Sequence, residues 1–417
     1  MTQYADVAAA VANAHRHEWA RVLAATVRVT RDLDLAEECT QDAYAKALAH
    51  WAANGVPDRP GAWLTTVARN RARDLLRRES VLRSALPLLV MDDVVAGPED
   101  MADPQEVADD WLRLIFTCCH PALSRDAQVA LTLRLVCGLS TTEVARAFLV
   151  QDAAMAARIT RAKKKISAAR IPYRVPDRAE LPGRIDAVLE VVHLVFTTGH
   201  TAPAGGELVR RDLVDGAIRL ARNLHDLLPG HSDVAGLLAL LLLTDSRRDT
   251  RLSDSGELVL LAEQDRSRWD AVEIEEGVAL LTDALRRTGA SRYSVQAAIV
   301  AVNAEAATWQ ETDWTEVVGL YDVLRRLWPS PVVELNRAVA IGYRDGPSAG
   351  LAELSPLQDE PALSTYGYLS AARADFLSQL GRRSEAATAY EEALAMTSNE
   401  VERTFLARRL KQVTTHL

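Results

Sequence analysis

Hydrophobic positions recur with helical spacing along nearly the whole chain. In residues 213–228, apolar side chains fall at 213, 214, 217, 218, 220, 221, 224, 227 and 228. Such an apolar stripe with a period near ~3.6 residues is typical of an amphipathic helix. No segment shows a convincing alternation of apolar and polar residues, the pattern of a strand. The chain is therefore predicted to be all-α.

Two breaks in this periodicity divide the chain. Residues 81–105 include the acidic stretch MDDVVAGPEDMADP, and residues 171–183 contain three prolines. Proline-rich and charged stretches of this kind are typical of linkers. The predicted parts are a first domain 1–80, an acidic linker 81–105, a second domain 106–172, a helical extension 185–290 and helical repeats 291–417.

A weak repeat appears in the last part. Tyr321 and Tyr390 lie in similar helical segments 69 residues apart, about twice the 34-residue tetratricopeptide period. A middle copy fits near residues 347–357. The pattern predicts tetratricopeptide-like repeats, with ordinary alanine-rich helical hairpins as the alternative.

Composition fits a globular protein of roughly two to three domains. Of the 417 residues, 48% are apolar and 25% are charged. The sequence shows no apolar run of the ~20 residues that span a bilayer, no signal-peptide pattern and only four cysteines, so we expect a cytoplasmic protein without a membrane partner. Charge is uneven: residues 1–174 hold 23 basic and 21 acidic side chains, and residues 175–417 hold 25 and 36.

The first cluster of positive charge is WLTTVARNRARDLLRRE, residues 63–79. On a helix, Arg69, Asn70, Arg73 and Arg77 share one face, because residues three and four apart are neighbours. Such a row can meet successive phosphates or base edges. The alternative is an ordinary solvated helix face.

A second basic segment follows a helix-turn-helix pattern. Ser140 and Glu143 form a predicted capping box at the start of the first helix. The turn LVQD follows, with Asp152 as the predicted N-cap of a second, basic helix. The residues predicted to face inward on the two helices are Val144, Ala145, Phe148, Met155, Ile159 and Ile166. An ordinary helical hairpin is the alternative.

Residues 1–172 resemble the extracytoplasmic-function (ECF) sigma factors, two-domain bacterial transcription initiation factors. The resemblance lies in three stretches: residues 32–51 are similar to their clamp-binding helix, residues 60–79 to their −10 helix and residues 131–166 to their −35 helix-turn-helix. It implies promoter DNA and core RNA polymerase, through the beta-prime clamp and beta flap, as partners.

The resemblance also implies residue roles. An acidic surface suits a basic partner at an interface, and an unpaired base can be read by a loop such as 52–60. The residues implied to bind core polymerase are Asp34, Glu37, Glu38, Gln41 and Asp42. Those implied at the −10 element are Asn54, Asp58, Arg59, Trp63, Arg69, Asn70, Arg73 and Arg77. Those implied at the −35 element are Arg158, Arg161, Lys163, Lys164 and Lys165.

The start of the predicted recognition helix departs from the family pattern. Relatives carry a glycine-threonine-valine-lysine or -arginine run where this chain has AAMA at 153–156. Replacing a side chain that binds a base or a phosphate by a methyl group weakens DNA binding by about 1 kcal/mol or more. With AAMA at these positions, Lys163, Lys164 and Lys165 are expected to carry more of the nonspecific affinity for DNA.

Residues 185–410 resemble the long extension of one ECF subgroup, with TCCHPALS (117–124) and LAEQDRSRWD (261–270) as signature stretches. By analogy the extension controls activity in cis, and a YCII-related (DGPF-type) protein is a possible partner class. Five clustered residues are candidates for a regulatory contact: Asp265, Arg266, Arg268, Trp269 and Asp270. A local capping and salt-bridge cluster is the alternative.

Metal and enzyme chemistry have little support in the sequence. Cys118, Cys119 and His120 are adjacent, so on a helix they point ~100° apart and cannot share one ion without ligands from elsewhere. We expect buried structural thiols, no metal, no cofactor and no enzymatic activity.

Three hypotheses remain open from the sequence. The first is a promoter-recognition subunit of RNA polymerase controlled by its C-terminal region, the second a conventional DNA-binding regulator, and the third an adaptor with vestigial DNA-binding parts. The extension could inhibit activity by masking a basic DNA-binding surface, or it could be a structural part that activity requires. The short joint 171–183 favours the required role.

Overall fold

The computed structural model describes residues 2–84, 104–148, 150–177 and 179–415. The predicted all-α class is confirmed. The chain forms two compact units, Met1–Leu194 and Val195–Leu417. The α-helices are α1 (Thr2–Thr30), α2 (Leu33–Asn54), α3 (Pro60–Ser84), α4 (Pro104–Cys118), α5 (Arg125–Leu131), α6 (Thr141–Ala147), α7 (Asp152–Ala168), α8 (Leu181–His200), α9 (Arg211–Leu227), α10 (Ser232–Asp245), α11 (Ala271–Thr288), α12 (Arg292–Glu305), α13 (Trp314–Leu327), α14 (Pro331–Asp345), α15 (Pro347–Leu354), α16 (Gly367–Gln379), α17 (Arg383–Met396) and α18 (Glu400–Thr414).

Short elements complete the described chain. A π-helical segment, Thr132–Val136, follows α5, and the 3-10 turns are Arg248–Thr250, Leu261–Glu263, Arg266–Arg268, Trp309–Glu311, Ser355–Asp359 and Pro361–Leu363. Two strands of two residues, β1 (Ala204–Gly205) and β2 (Ser398–Asn399), pair in parallel. Most of the predicted linker, residues 85–103, lies outside the described residues.

Helices α1, α2 and α3 pack around one core, here called the α1–α3 module. Trp51, Leu64 and Leu23 are fully buried at its centre. The Asp32 side chain caps α2 by accepting from the amides of Asp34 and Leu35, and Gly55 ends it with a φ of 84°, which favours glycine. The long apolar face of α1 therefore holds α2 and α3 in fixed orientation.

Helices α4 to α7 and the π-helical segment form a second module, here called the α4–α7 module. The capping box is confirmed: the Ser140 amide donates to Glu143 at 2.7 Å, and the Glu143 amide donates to the Ser140 hydroxyl at 3.2 Å. Val144, Ala145, Met155, Ile159 and Ile166 are buried as predicted, and Phe148 is half-buried.

One predicted cap in this module is wrong. Gln151, not Asp152, occupies the N-cap of α7. The Asp152 carboxylate instead accepts a hydrogen bond from the Thr142 hydroxyl at 2.7 Å. The side chain thereby ties the two helices of the pair together.

The second unit is built on consecutive helices. The helix predicted over 213–228 is α9, and α10 is buried on almost every face between α9, α11 and α12. From α12 to α18 each helix packs against the next. The Asn399 amide donates to the carbonyls of Ala202 (2.9 Å) and Glu207 (2.8 Å) and so joins the end of this unit to its beginning.

Candidate polymerase and nucleic-acid interface

The acid-rich helix α2 places its predicted contact residues in different environments. Asp34, Glu38 and Gln41 are exposed, but Glu37 is buried. The Asp42 carboxylate accepts from Arg71 Nε on α3 at 2.9 Å. Glu37 and Asp42 are thus engaged within the protein, while Asp34, Glu38 and Gln41 face solvent, although the exposed Asp34 also accepts from Lys163.

Between α2 and α3 lies an open cleft of about 580 Å³. Trp63 lies in its wall, with its ring centroid 5.2 Å from that of His50 and 5.6 Å from that of Trp51. The other lining residues are Lys46, Ala49, Val67, Asn70, Arg71 and Asp74. An aromatic wall with cationic neighbours is the chemistry that stacks nucleobases and neutralises phosphates. Sequence reasoning placed Trp63 and Asn70 here but missed Lys46 and His50.

The remaining predicted −10 residues lie on the same module but are not among the residues that line this cleft. Asn54, Asp58 and Arg59 are exposed around the loop that joins α2 to α3, and the Asn54 amide donates to the His50 carbonyl at 3.1 Å. Arg73 donates to Asn70 at 3.4 Å. Arg69 and Arg73 are half-buried, and Arg77 is exposed.

Helix α7 separates its predicted cations onto two faces. Arg161, Lys164 and Lys165 are exposed. Arg158 lies over the Phe148 ring at 5.2 Å and 3.5 Å from Asp126, so it also serves the packing of its own module.

Lys163 points the other way, into the protein. Its ammonium donates to Asp34 Oδ1 and Glu37 Oε2, both at 2.7 Å. Arg134 donates to the other oxygen of Glu37. Burial opposes the charged ammonium, but the hydrogen bonds of Asp34 and Glu37 outweigh it and raise the pKa of Lys163. This contact joins the two modules, and nothing in the local sequence pattern indicates it.

The five regulatory candidates form a capping cluster in the second unit. Asp265 and Asp270 cap the 3-10 turn at 266–268 and helix α11. Arg266 donates to the carbonyls of Asn303 and Ala306 and lies 4.8 Å over the Trp269 ring. Trp269 is buried and donates to Thr250 at 3.0 Å. Asp265, Arg268 and Asp270 are all exposed, but the two aspartates act as caps, so Arg268 is the member of the cluster best placed to meet a partner.

Cys39, Cys118 and Cys119 are buried, and Cys137 is half-buried. Burial raises the pKa of the Cys39 and Cys119 thiols to about 11. Within the described residues, no group of three or more His, Cys, Asp and Glu side chains could hold a metal ion. None of the described helices is long and apolar enough to cross a membrane.

Comparison with known proteins gives these modules an identity. Residues 16–81 match sigma-70 region 2, residues 113–166 match sigma-70 region 4, and residues 184–285 match a family of unknown function (DUF6596). An uncharacterized protein of Rhizobium meliloti (strain 1021) is 44% identical over 394 residues, which cover 94% of this chain and 92% of the relative. No solved structure matches the chain.

Regions 2 and 4 in this order define a sigma factor, the subunit with which RNA polymerase recognises promoters and begins transcription. Core RNA polymerase and promoter DNA are therefore its partners. The chain belongs to the family that also contains the Rhizobium protein, because the two sequences align over 94% of this chain.

Proposed function

We propose that this sigma factor is of the ECF type and that its C-terminal helices control its activity in cis. The α1–α3 module reads the −10 element and the α4–α7 module reads the −35 element. The observation that carries the proposal is the presence of two separate cationic helices, α3 and α7, after the acid-rich helix α2, with regions 2 and 4 matched in that order.

At the −10 element, the aromatic cleft beside α3 receives the melted strand. Trp63 supplies a stacking surface, and Arg69, Asn70, Arg73 and Arg77 follow the strand along α3. At the −35 element, Arg161, Lys164 and Lys165 form the exposed row that approaches the duplex. Arg158 contributes less to DNA binding than these three residues, because its contacts with Phe148 and Asp126 hold it against its own module.

At the polymerase, Asp34, Glu38 and Gln41 offer the exposed part of the clamp-facing surface. Glu37 joins them only when its contacts with Lys163 and Arg134 are given up. The C-terminal unit, with tetratricopeptide-like stacking of α12 to α18, supplies the regulatory surface. A YCII-related signal partner stays a prediction.

Reconstituted transcription tests this proposal. Purified core polymerase and the full-length protein are incubated with fragmented genomic DNA, and the transcripts are sequenced. Promoter-dependent transcripts are expected only with both components. Replacing Arg69, Arg73 and Arg77 by Ala should abolish them, whereas Arg286→Ala with Arg287→Ala on exposed positions of α11 serves as the surface-arginine control.

Two outcomes contradict the proposal. Transcripts that are unchanged by the triple substitution remove the −10 assignment. Binding to duplex DNA without any affinity for core polymerase favours a conventional DNA-binding regulator.

A further inference from the structure

The contact between Lys163 and the acidic start of α2 joins two surfaces that the proposed function assigns to different partners. Asp34 and Glu37 belong to the clamp-facing surface, and Lys163 belongs to the −35 helix. Here the carboxylates are neutralised by Lys163 and Arg134 of the same chain. Glu37 and Lys163 cannot meet an external partner while this contact holds, whereas Asp34 stays largely exposed.

The contact is buried, which makes it more than a surface ion pair. The side chains of Lys163 and Glu37 are each only 9% exposed, whereas Asp34 is 74% exposed. Exposed ion pairs contribute little, but removing one partner of a buried pair strands a charge in a poorly solvated site. Glu37 has two cationic partners of the same chain, Arg134 and Lys163, which compensate its charge in this closed arrangement.

Further contacts hold the modules together away from this pair. Arg28 of α1 lies 3.6 Å from Asp110 of α4, a buried carboxylate that also accepts from Arg113 at 2.7 Å. Gly138, at a φ of 74°, lies against Trp19 of α1 so closely that an added Cβ would be 3.0 Å from the Trp19 ring. The two modules therefore meet over a packed surface.

Tyr173, in the joint after α7, completes this surface. Its hydroxyl is directed at the carbonyl oxygens of Ala24 (2.9 Å), in the α1–α3 module, and Asp110 (3.0 Å), in the α4–α7 module. Beyond it, Arg184 at the start of α8 donates to the Phe116 carbonyl. The segment that leads toward the C-terminal unit therefore contacts both modules through Tyr173.

We propose that this contact, made by Lys163 and Arg134 with Glu37 and secured by Tyr173, is an autoinhibitory lock that competes with core polymerase for the α2 surface. The inference rests on the proposed function. Basic side chains of the clamp replace Lys163 and Arg134 on the carboxylates when polymerase binds. The freed Lys163 then turns to DNA with its neighbours on α7.

The distance between promoter elements supports this requirement for opening. Elements at −35 and −10 are about 25 base pairs apart, or ~85 Å along B-form DNA. Helix α7 is only ~25 Å long, and its Lys163 touches α2 at 2.7 Å. The closed unit cannot cover both elements at once, so promoter binding requires the modules to separate.

Tyr173 gives the C-terminal region a means to act on the lock. A displacement of the joint 171–177 withdraws the hydroxyl from Ala24 and Asp110 and removes one support of the closed contact. Control in cis then works on the core-binding step, without the C-terminal unit having to cover the DNA-binding helices.

Affinity for core polymerase tests the lock in the full-length protein. The opening variant is Arg134→Ala with Tyr173→Phe, two positions outside the proposed binding residues. The matched control is Arg125→Ala, which removes an ion pair with Glu190, with Tyr366→Phe. Apparent affinity scales with the population of the competent state, so we expect the opening variant to bind core at least tenfold more tightly and the control to bind as wild type does.

A distance measurement on otherwise native protein accompanies it. Nitroxide labels are attached at Ala45→Cys and Ser167→Cys, which are both exposed positions, and Cys137→Ser removes the half-buried thiol. We expect one short distance between the labels in the free protein and longer distances when core polymerase is bound. Long distances in the free protein overturn the lock, even where the opening variant fails to fold. If wild type, opening variant and control bind core polymerase equally tightly, the lock is overturned and the sigma assignment stands. If none of the three proteins binds core polymerase, the proposed function itself is refuted.

Discussion

The ammonium of Lys163 donates to the Glu37 carboxylate at 2.7 Å, although the two residues are 126 positions apart in the chain. One belongs to the predicted −35 helix and the other to the predicted clamp-facing helix. The contact divides the basic cluster of α7 into a buried cation and an exposed row. Only the exposed row is available to DNA while the two modules stay together.

The exposed row of α7 should carry the phosphate contacts at the −35 element. We expect Arg161→Ala and Lys164→Ala each to weaken holoenzyme binding to promoter DNA and to lower the slope of log affinity against log salt by about 1. The measurement is a salt titration of DNA affinity. Arg286→Ala on α11 is the control, and a slope unchanged by both α7 substitutions would contradict the assignment.

Trp63 should stack on the melted −10 strand. Removing one base–aromatic stack costs about 1–3 kcal/mol, so Trp63→Ala should reduce open-complex formation roughly 5- to 150-fold, and Trp63→Phe should retain most of it. Permanganate footprinting of the opened strand measures this. Because Trp63 also packs near Trp51, the thermal midpoint of each variant is needed, and normal opening by a stable Trp63→Ala protein would refute the role.

We expect Arg266 to stabilise the fold and Arg268 to be available for contact with a partner. Arg266 bonds two carbonyls and lies over Trp269, so Arg266→Ala should lower the free energy of unfolding by about 2 kcal/mol. Arg268 is exposed, so Arg268→Ala should leave stability within about 0.5 kcal/mol of wild type. Urea unfolding measures both, and a transcription change in Arg268→Ala alone would identify a regulatory contact.

His200 should make the second unit sensitive to acid. Burial, together with nearby Arg251 and Arg247, holds the pKa of His200 well below its usual range. Below pH ~6.5 the unfolded chain binds a proton at this residue and the folded chain does not, so the free energy of unfolding falls as pH falls. Between pH 7.5 and 5.5, wild type should lose about 1 kcal/mol more than His200→Gln.

Urea unfolding at the two pH values measures this difference. His17→Gln, at an exposed histidine of α1, should behave as wild type does. An equal loss in wild type and His200→Gln would show that the residue is protonated in the folded state.

The thiols should report on the packing of the first unit. Cys137 is half-buried, whereas Cys39, Cys118 and Cys119 are buried. With a thiol reagent at pH 8 we expect Cys137 to react first and the other three only after denaturant is added. Rapid modification of Cys118 or Cys119 in the native protein would show that the core around α4 is open.

Local patterns were sufficient for the helices and for the capping box of α6. The apolar spacing of 213–228 corresponds to α9, and the Ser140–Glu143 capping box forms as predicted. Met155, Ile159 and Ile166 face inward. These features depend on residues within about four positions of each other, where helix geometry alone sets which side chains meet.

The sequence by itself determined the all-α class, the order of the two sigma modules and the candidate surfaces on α2, α3 and α7. Only the tertiary structure decided which charges remain on those surfaces. Asp42 pairs with Arg71 of another helix, and Lys163 with Glu37 of another module. Since a row of charges on a helix looks the same whether it faces water or a distant carboxylate, its partner is set by the packing of residues far apart in the chain.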